Sequence, residues 1–163
     1  MPLLQRADRM PRRGDDPWPD VPDIRRRTMS AIRHKNTRPE LAVRSLLHRL
    51  GYRYRLHGTR LPGRPDLVFA SRRKVIFVHG CYWHGHPGCR LAKVPKTRTE
   101  YWQPKLNRNK ARDIEVRLKL RELAWDELVI WECEITNDRN LAKRLISFLG
   151  PPRFSTGSAP ART

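Results

Sequence analysis

The segment His79-Gly-Cys-Tyr-Trp-His-Gly-His-Pro-Gly-Cys89 holds two thiols, three imidazoles and two large aromatic rings. Thiolate and imidazole together are zinc chemistry, and an imidazole that a metal does not need can move protons. Cys81-x4-His86-x2-Cys89 offers three ligands within one loop, and Gly85, Pro87 and Gly88 allow the tight turns that chelation requires. Cys133, the remaining cysteine, closes the apolar run that begins at Leu128 and offers a fourth ligand. Four N/S ligands make a closed, tetrahedral, structural zinc site, and a distant fourth ligand would make metal binding part of folding. Three inert buried thiols are the plainer alternative; zinc is favoured because it uses every cysteine. On spacing alone His84 can replace His86 as the ligand.

The other imidazoles flank this loop. Upstream, Asp66 ends Leu61-Pro-Gly-Arg-Pro-Asp and enters an apolar run. A carboxylate there can hold Mg²⁺ together with a backbone carbonyl from the run Lys74 to His79, because magnesium keeps several waters and uses few protein oxygens. A neutral histidine beside such a site can take a proton from attacking water. Asp66 by itself is more readily a turn residue after Pro-Gly; a His-rich strand end opposite it tips the balance modestly toward the metal. Tyr82, Trp83, Tyr101 and Trp102 sit among basic residues, which suits stacking on bases or wedging between them. Taken singly, each is better explained as satellite core around the zinc. Residues 90–112 are strongly basic and suited to phosphates, against the plain alternative of a solvated surface.

Composition narrows the partner. The chain has 163 residues, enough for one domain with a real core. Lys plus Arg number 35 against 16 Asp plus Glu, a formal charge of +19 that points to a polyanion, foremost nucleic acid. No apolar run approaches the ~18 residues needed to span a bilayer, and the N-terminus lacks the apolar core of a signal peptide. The expectation is a cytoplasmic, nucleoid-associated protein with no membrane partner, in which three cysteines do not form a disulfide framework.

The elements that must position these residues read as α/β. Residues 1–20, rich in Pro and Arg, are expected to form a flexible basic arm, residues 21–150 the folded domain, and residues 151–163 a disordered tail. Residues 23–32 suggest a short basic helix. Thr37-Arg-Pro-Glu40 has the form of a capping box, followed by a helix with Val43, Leu46, Leu47 and Leu50 on one face and a stop at Gly51. Residues 52–56 read as a strand, and residues 65–70 and 74–79 as a hairpin. Residues 110–123 read as a helix with Ile114 and Leu118 as neighbours, 128–133 as a strand, and 140–149 as a last helix. The pattern predicts a mixed β-sheet flanked by helices.

Five segments in this order resemble the very short patch repair (Vsr) DNA mismatch endonucleases. They are Met29-Ser-Ala-Ile, Leu61-Pro-Gly-Arg-Pro-Asp-Leu-Val-Phe, Val75-Ile-Phe-Val-His-Gly-Cys-Tyr-Trp-His, Lys93-Val-Pro-Lys-Thr-Arg-Thr-Glu-Tyr-Trp and Val129-Ile-Trp-Glu-Cys. The resemblance spans roughly residues 23–150. It implies a restriction-endonuclease-like fold with one structural Zn²⁺ and a catalytic Mg²⁺. It implies an enzyme that nicks double-stranded DNA 5′ to the thymine of a T:G mismatch left by deamination of 5-methylcytosine; nicking one strand needs only a monomer, and mismatch-repair factors are candidate partners. Asp66 matches the metal-binding aspartate, and Val78 would offer its carbonyl to Mg²⁺. His84 matches the water-activating histidine, His79 the second active-site histidine, and Glu40 an acidic residue near the metal waters. Cys81, His86, Cys89 and Cys133 match the zinc ligands, which decides between His84 and His86. Met29, Tyr82, Trp83 and Trp102 match side chains that wedge into the duplex. A related nuclease with another target, or a non-catalytic zinc module that binds DNA, are the competing functions.

Overall fold

A computed structural model describes residues 35–152. The expected arm over 1–20, the helix over 23–32, Met29 and all but the first two residues of the tail lie outside the described residues. Among the described residues the elements run α1 (Arg38–Arg49), β1 (Arg55–Leu56), β2 (Leu67–Phe69), β3 (Lys74–His79), α2 (Cys81–His84), α3 (Thr99–Glu122), β4 (Asp126–Trp131) and α4 (Asp138–Leu149). Short 3₁₀ turns follow β2 at Ala70–Arg72 and β4 at Glu132–Glu134.

The sheet has the order β1-β2-β3-β4. β1 with β2 and β2 with β3 are antiparallel, whereas β3 and β4 are parallel. The sheet is therefore mixed and flanked by helices, as the alternation of apolar runs predicts. Side chains alternate across the strands. Leu67, Phe69, Ile76 and Ile130 join Val43, Leu46 and Leu47 of α1 and Leu141, Leu145 and Leu149 of α4 in one core layer. Val68, Val75 and Phe77 face the other way and meet Leu120 of α3.

Helix α1 starts as the capping box requires: Thr37 Oγ1 accepts from the Glu40 amide at 3.4 Å. The return bond is shifted by one residue, because Glu40 Oε2 accepts from the amide of Asn36 at 3.0 Å. The β2–β3 turn has a second use. Arg72 donates to the carbonyls of Leu149 and Pro151, Arg73 to those of Leu123 and Ala124, and Lys74 to that of Phe148. Three basic residues of one turn thus meet the carbonyl-rich C-terminal ends of α3 and α4, where cations are favourable.

Three elements depart from expectation. The strand over 52–56 reduces to Arg55–Leu56, because β2 ends at Phe69 and curls into a 3₁₀ turn at Ala70, which leaves residues 52–53 no strand to pair with. Tyr52 instead turns inward and donates to the Gly150 carbonyl at 2.5 Å. Helix α3 begins at Thr99 and runs 24 residues, although Pro104 lies inside it. Its first half buries only Leu106, so no apolar period marks it. The Ile114 and Leu118 pair faces solvent, 58% and 53% exposed, and Leu120 with Val116 makes the inward contact. Strand β4 ends at Trp131, which leaves Cys133 in the 3₁₀ turn. None of the described helices is long and apolar enough to cross a membrane.

Candidate active site and metal centre

The parallel pairing of β3 and β4 builds the site. His79 and Trp131 are register partners at the same end of the sheet. Two residues beyond each lies a cysteine, Cys81 opening α2 and Cys133 in the turn after β4. Gly85 (φ 59°) ends α2 in the left-handed region, and Gly88 (φ 68°) turns the chain again. The loop thereby folds back so that Cys81, His86, Cys89 and Cys133 place their donor atoms within 4.8 Å of one another. His86 Nδ1 lies 3.5 Å from Cys81 Sγ and 3.4 Å from Cys133 Sγ. Zn–S and Zn–N bonds of ordinary length at a tetrahedral angle put S and N about 3.5 Å apart. The donors therefore fit zinc, and with all four used the cluster is consistent with a structural site. Burial pushes the Cys81 thiol up to about 12 and raises Cys133 as well, while the Leu91 backbone N–H lowers Cys89. Buried thiols of this kind become thiolates when a cation offsets their charge. The His86 ring stacks on Trp131 at 4.2 Å and 3°, which fixes its plane.

His84 does not join the thiols. It stacks on His79 at 3.7 Å and 12°, and puts Nδ1 2.6 Å from Asp113 Oδ2 on α3. A carboxylate can only accept, so His84 donates from Nδ1 and keeps an Nε2 lone pair. Burial, then the neighbouring His84, depresses the His79 pKa to about 3, so this ring is neutral at pH 7. His79, His84 and Asp113 also bring ligand atoms within 4.8 Å. Rings stacked face to face direct their in-plane lone pairs side by side, a poor arrangement for chelation and a good one for holding one imidazole against another.

Asp66 stands just before β2, and its Oδ2 accepts from the Val78 amide at 2.8 Å. That bond fixes the carboxylate one residue from His79. Among the described residues no donor reaches its second oxygen. Burial raises the Asp66 pKa, the Val78 N–H opposes this, the nearby Glu40 charge adds to it, and His57 and Arg44 oppose it. A half-buried carboxylate with an unused oxygen and a second carboxylate nearby is a donor set that fits a hard cation such as Mg²⁺. Glu40 is 5% exposed and held by Asn36, Thr37 and Arg44.

The aromatic residues converge. Tyr82 lies 5.0 Å from Trp83 and 5.8 Å from Trp102, and Trp83 lies 6.1 Å from Trp102, ring centre to ring centre. Lys105 Nζ sits 5.3 Å from the Trp83 ring, 5.6 Å from Tyr101 and 5.5 Å from Trp102. Three residues of this region carry no individual role in the sequence, Lys105 and Asn109 lying only within the basic stretch 90–112. Lys105, Asn109 and Asp113 recur every fourth residue and form one stripe of α3 facing α2, where Asn109 donates to the Trp83 carbonyl at 3.0 Å. The four-residue spacing was the available signal, hidden because residues 99–109 do not read as helix.

Comparison with known proteins follows this geometry. A family model described as DNA mismatch endonuclease Vsr matches residues 20–90. Type II nicking enzyme V.XorIIP of Xanthomonas oryzae pv. oryzae is 53% identical over 130 residues, covering 80% of this chain and 95% of that protein. DNA mismatch endonuclease Vsr of Escherichia coli is 42% identical over 130 residues, 78% of this chain and 83% of its own length. Type II nicking enzyme V.NmeAIP of Neisseria meningitidis is 38% identical over 117 residues, 72% of this chain and 83% of that protein.

Proposed function

The chain belongs to the Vsr family of DNA mismatch endonucleases, and on that premise we propose that it nicks one strand of duplex DNA 5′ to the thymine of a T:G mismatch. The observation that carries the chemistry is His84, clamped between the stacked His79 ring and the Asp113 carboxylate, one short helix away from Asp66 and Val78. In this reading the free Asp66 oxygen and the Val78 carbonyl hold Mg²⁺. The bound ion supplies charge neutralisation at the phosphate oxygens. His84 Nε2 accepts a proton from water as the water oxygen bonds to phosphorus, the phosphorus–ester oxygen bond breaks, and the leaving oxygen takes a proton from solvent. Asp113 stabilises the imidazolium so formed, and neutral His79 keeps the ring in plane without adding a competing charge. Glu40 orients solvent beside Asp66, with no bond to metal required.

Recognition rests on stacking. Tyr82, Trp83 and Trp102, with Met29 from the N-terminal segment, wedge into the duplex where a T:G pair is cheaper to unstack than a matched one. Lys105 adds positive charge beneath these rings, and the charge of +19 supplies phosphate affinity. Residues 21–150 form the endonuclease domain, Cys81, His86, Cys89 and Cys133 hold structural zinc, and one site per monomer suffices to cut one strand. The test is nicking of T:G and C:G duplexes in Mg²⁺ by the native chain and by Asp66→Ala. Equal cutting of both duplexes sinks the mismatch reading, and an active Asp66→Ala sinks the metal reading. A second target has support in the relatives named type II nicking enzymes, at 53% and 38% identity. It would be a fixed sequence nicked without a mismatch, and matched duplexes of varied sequence distinguish it.

A further inference from the structure

We propose that Arg44 is a positioning residue that fixes Glu40 and sets the net charge of the cation pocket around Asp66. The inference rests on the Mg²⁺ site proposed above. Arg44 lies one helical turn after Glu40 on α1 and is only 8% exposed. Its Nη2 donates to Glu40 Oε2 at 2.8 Å and its Nη1 to Asn36 Oδ1 at 2.6 Å. Its Nε is buried with no hydrogen-bond partner among the described residues.

Such a residue is a poor choice for stability alone. Burying a guanidinium with a donor unmet is unfavourable, and an apolar side chain would fill the same place without that penalty. The N-terminus of α1 is already capped by Thr37, and Glu40 already accepts from the Asn36 amide and from the Thr37 hydroxyl at 3.0 Å each. What Arg44 adds is charge and aim. With three donors on its two oxygens, Glu40 cannot swing toward Asp66, so it remains an acceptor for solvent and stays out of direct ligation. Asp66 feels both Glu40 and Arg44, so the three groups form one electrostatic unit. Two carboxylates and one guanidinium leave a single negative charge, to which His57 adds only when protonated. A divalent cation makes this pocket singly positive, which one phosphodiester then balances. Without Arg44 the pocket would hold a cation more tightly and attract the phosphate less.

The experiment uses the zinc-loaded full chain without DNA and Mn²⁺ as the probe, followed by electron paramagnetic resonance. Single-turnover nicking at saturating Mg²⁺ is measured alongside. Arg44→Met should bind Mn²⁺ about fivefold more tightly and yet nick more slowly, a pairing that loose packing does not produce. Arg44→Lys should keep native Mn²⁺ affinity. Asn36→Asp, at an exposed position, cancels the same charge from outside if Arg44→Met does not fold, and should also tighten Mn²⁺ binding. A folded Arg44→Met, or Asn36→Asp, with unchanged or weaker Mn²⁺ affinity overturns the role of Arg44, provided Asp66→Ala abolishes binding. If Asp66→Ala binds Mn²⁺ like the native chain, the metal site itself is wrong and the inference goes with it.

Discussion

Replacing Asp113 with Asn tests the proton-handling histidine directly. The substitution keeps the shape, and an amide oxygen can still accept from His84 Nδ1. What it removes is the negative charge 2.6 Å from a ring that becomes cationic as it takes the water proton. Hydrogen bonds to a charged partner are worth about 1.5–3 kcal/mol. The side chains of His84 and Asp113 are only 20% and 23% exposed, so solvent screening removes a minor part of this. Because each 1.36 kcal/mol is a factor of ten in rate, single-turnover nicking should slow by about 10- to 150-fold. The neutral ground state has little use for that charge, so affinity for the T:G duplex and the melting temperature should stay near native. The measurement is a single-turnover time course at saturating enzyme and Mg²⁺, paired with a binding isotherm in Ca²⁺. A rate within twofold of native would refute the role of Asp113. So would a loss of DNA affinity equal to the loss of rate, since the effect would then be uniform binding.

Zinc content should separate the two histidines of the loop: His86→Ala should lose the metal and melt well below the native chain, while His84→Ala should keep one zinc per chain by atomic absorption and lose nicking. Chelation of zinc from the native protein should lower the melting temperature in calorimetry, because buried Cys81 and half-buried Cys133 are otherwise thiols with no ion to hold them together. Trp83→Ala should reduce the ratio of T:G to C:G nicking, and the ratio should fall further than total DNA affinity in a filter-binding assay; an unchanged ratio would remove Trp83 from recognition. Leu145→Ala empties a fully buried position between α4 and the sheet and should cost about 2–5 kcal/mol in urea unfolding, without changing the T:G to C:G ratio.

The central hairpin was legible as two apolar runs around a polar turn, but those runs are apolar throughout, so only the folded chain shows how their side chains divide between the two core layers. The capped α1 and the four-ligand cluster followed from local chemistry. Helix α3 was half missed for a physical reason. Its first turns bury one side chain and are held by contacts with α2 through Asn109 and Asp113, contacts that leave no apolar period. Glu40 illustrates the other limit. Thr37 and Glu40 at capping-box spacing suffice to explain its presence, and only the folded chain brings it within electrostatic reach of Asp66.

The division of labour inside His79–Cys89 follows from how little α2 has to hold itself. Four helical residues cannot persist alone, since nucleation of a single turn is unfavourable. Cys81 anchors its first residue to the end of β3, and His86 and Cys89 anchor the chain just beyond its end. Cys133 joins both anchors to β4 through the parallel pairing of His79 with Trp131. His84 lies between these fixed points, stacked on His79 and bonded to Asp113. Its position is therefore a consequence of the zinc cluster on one side and of Asp113 on the other. The four-residue helix is the link through which a structural metal site would control the proposed proton-transfer group, His84, that it does not touch.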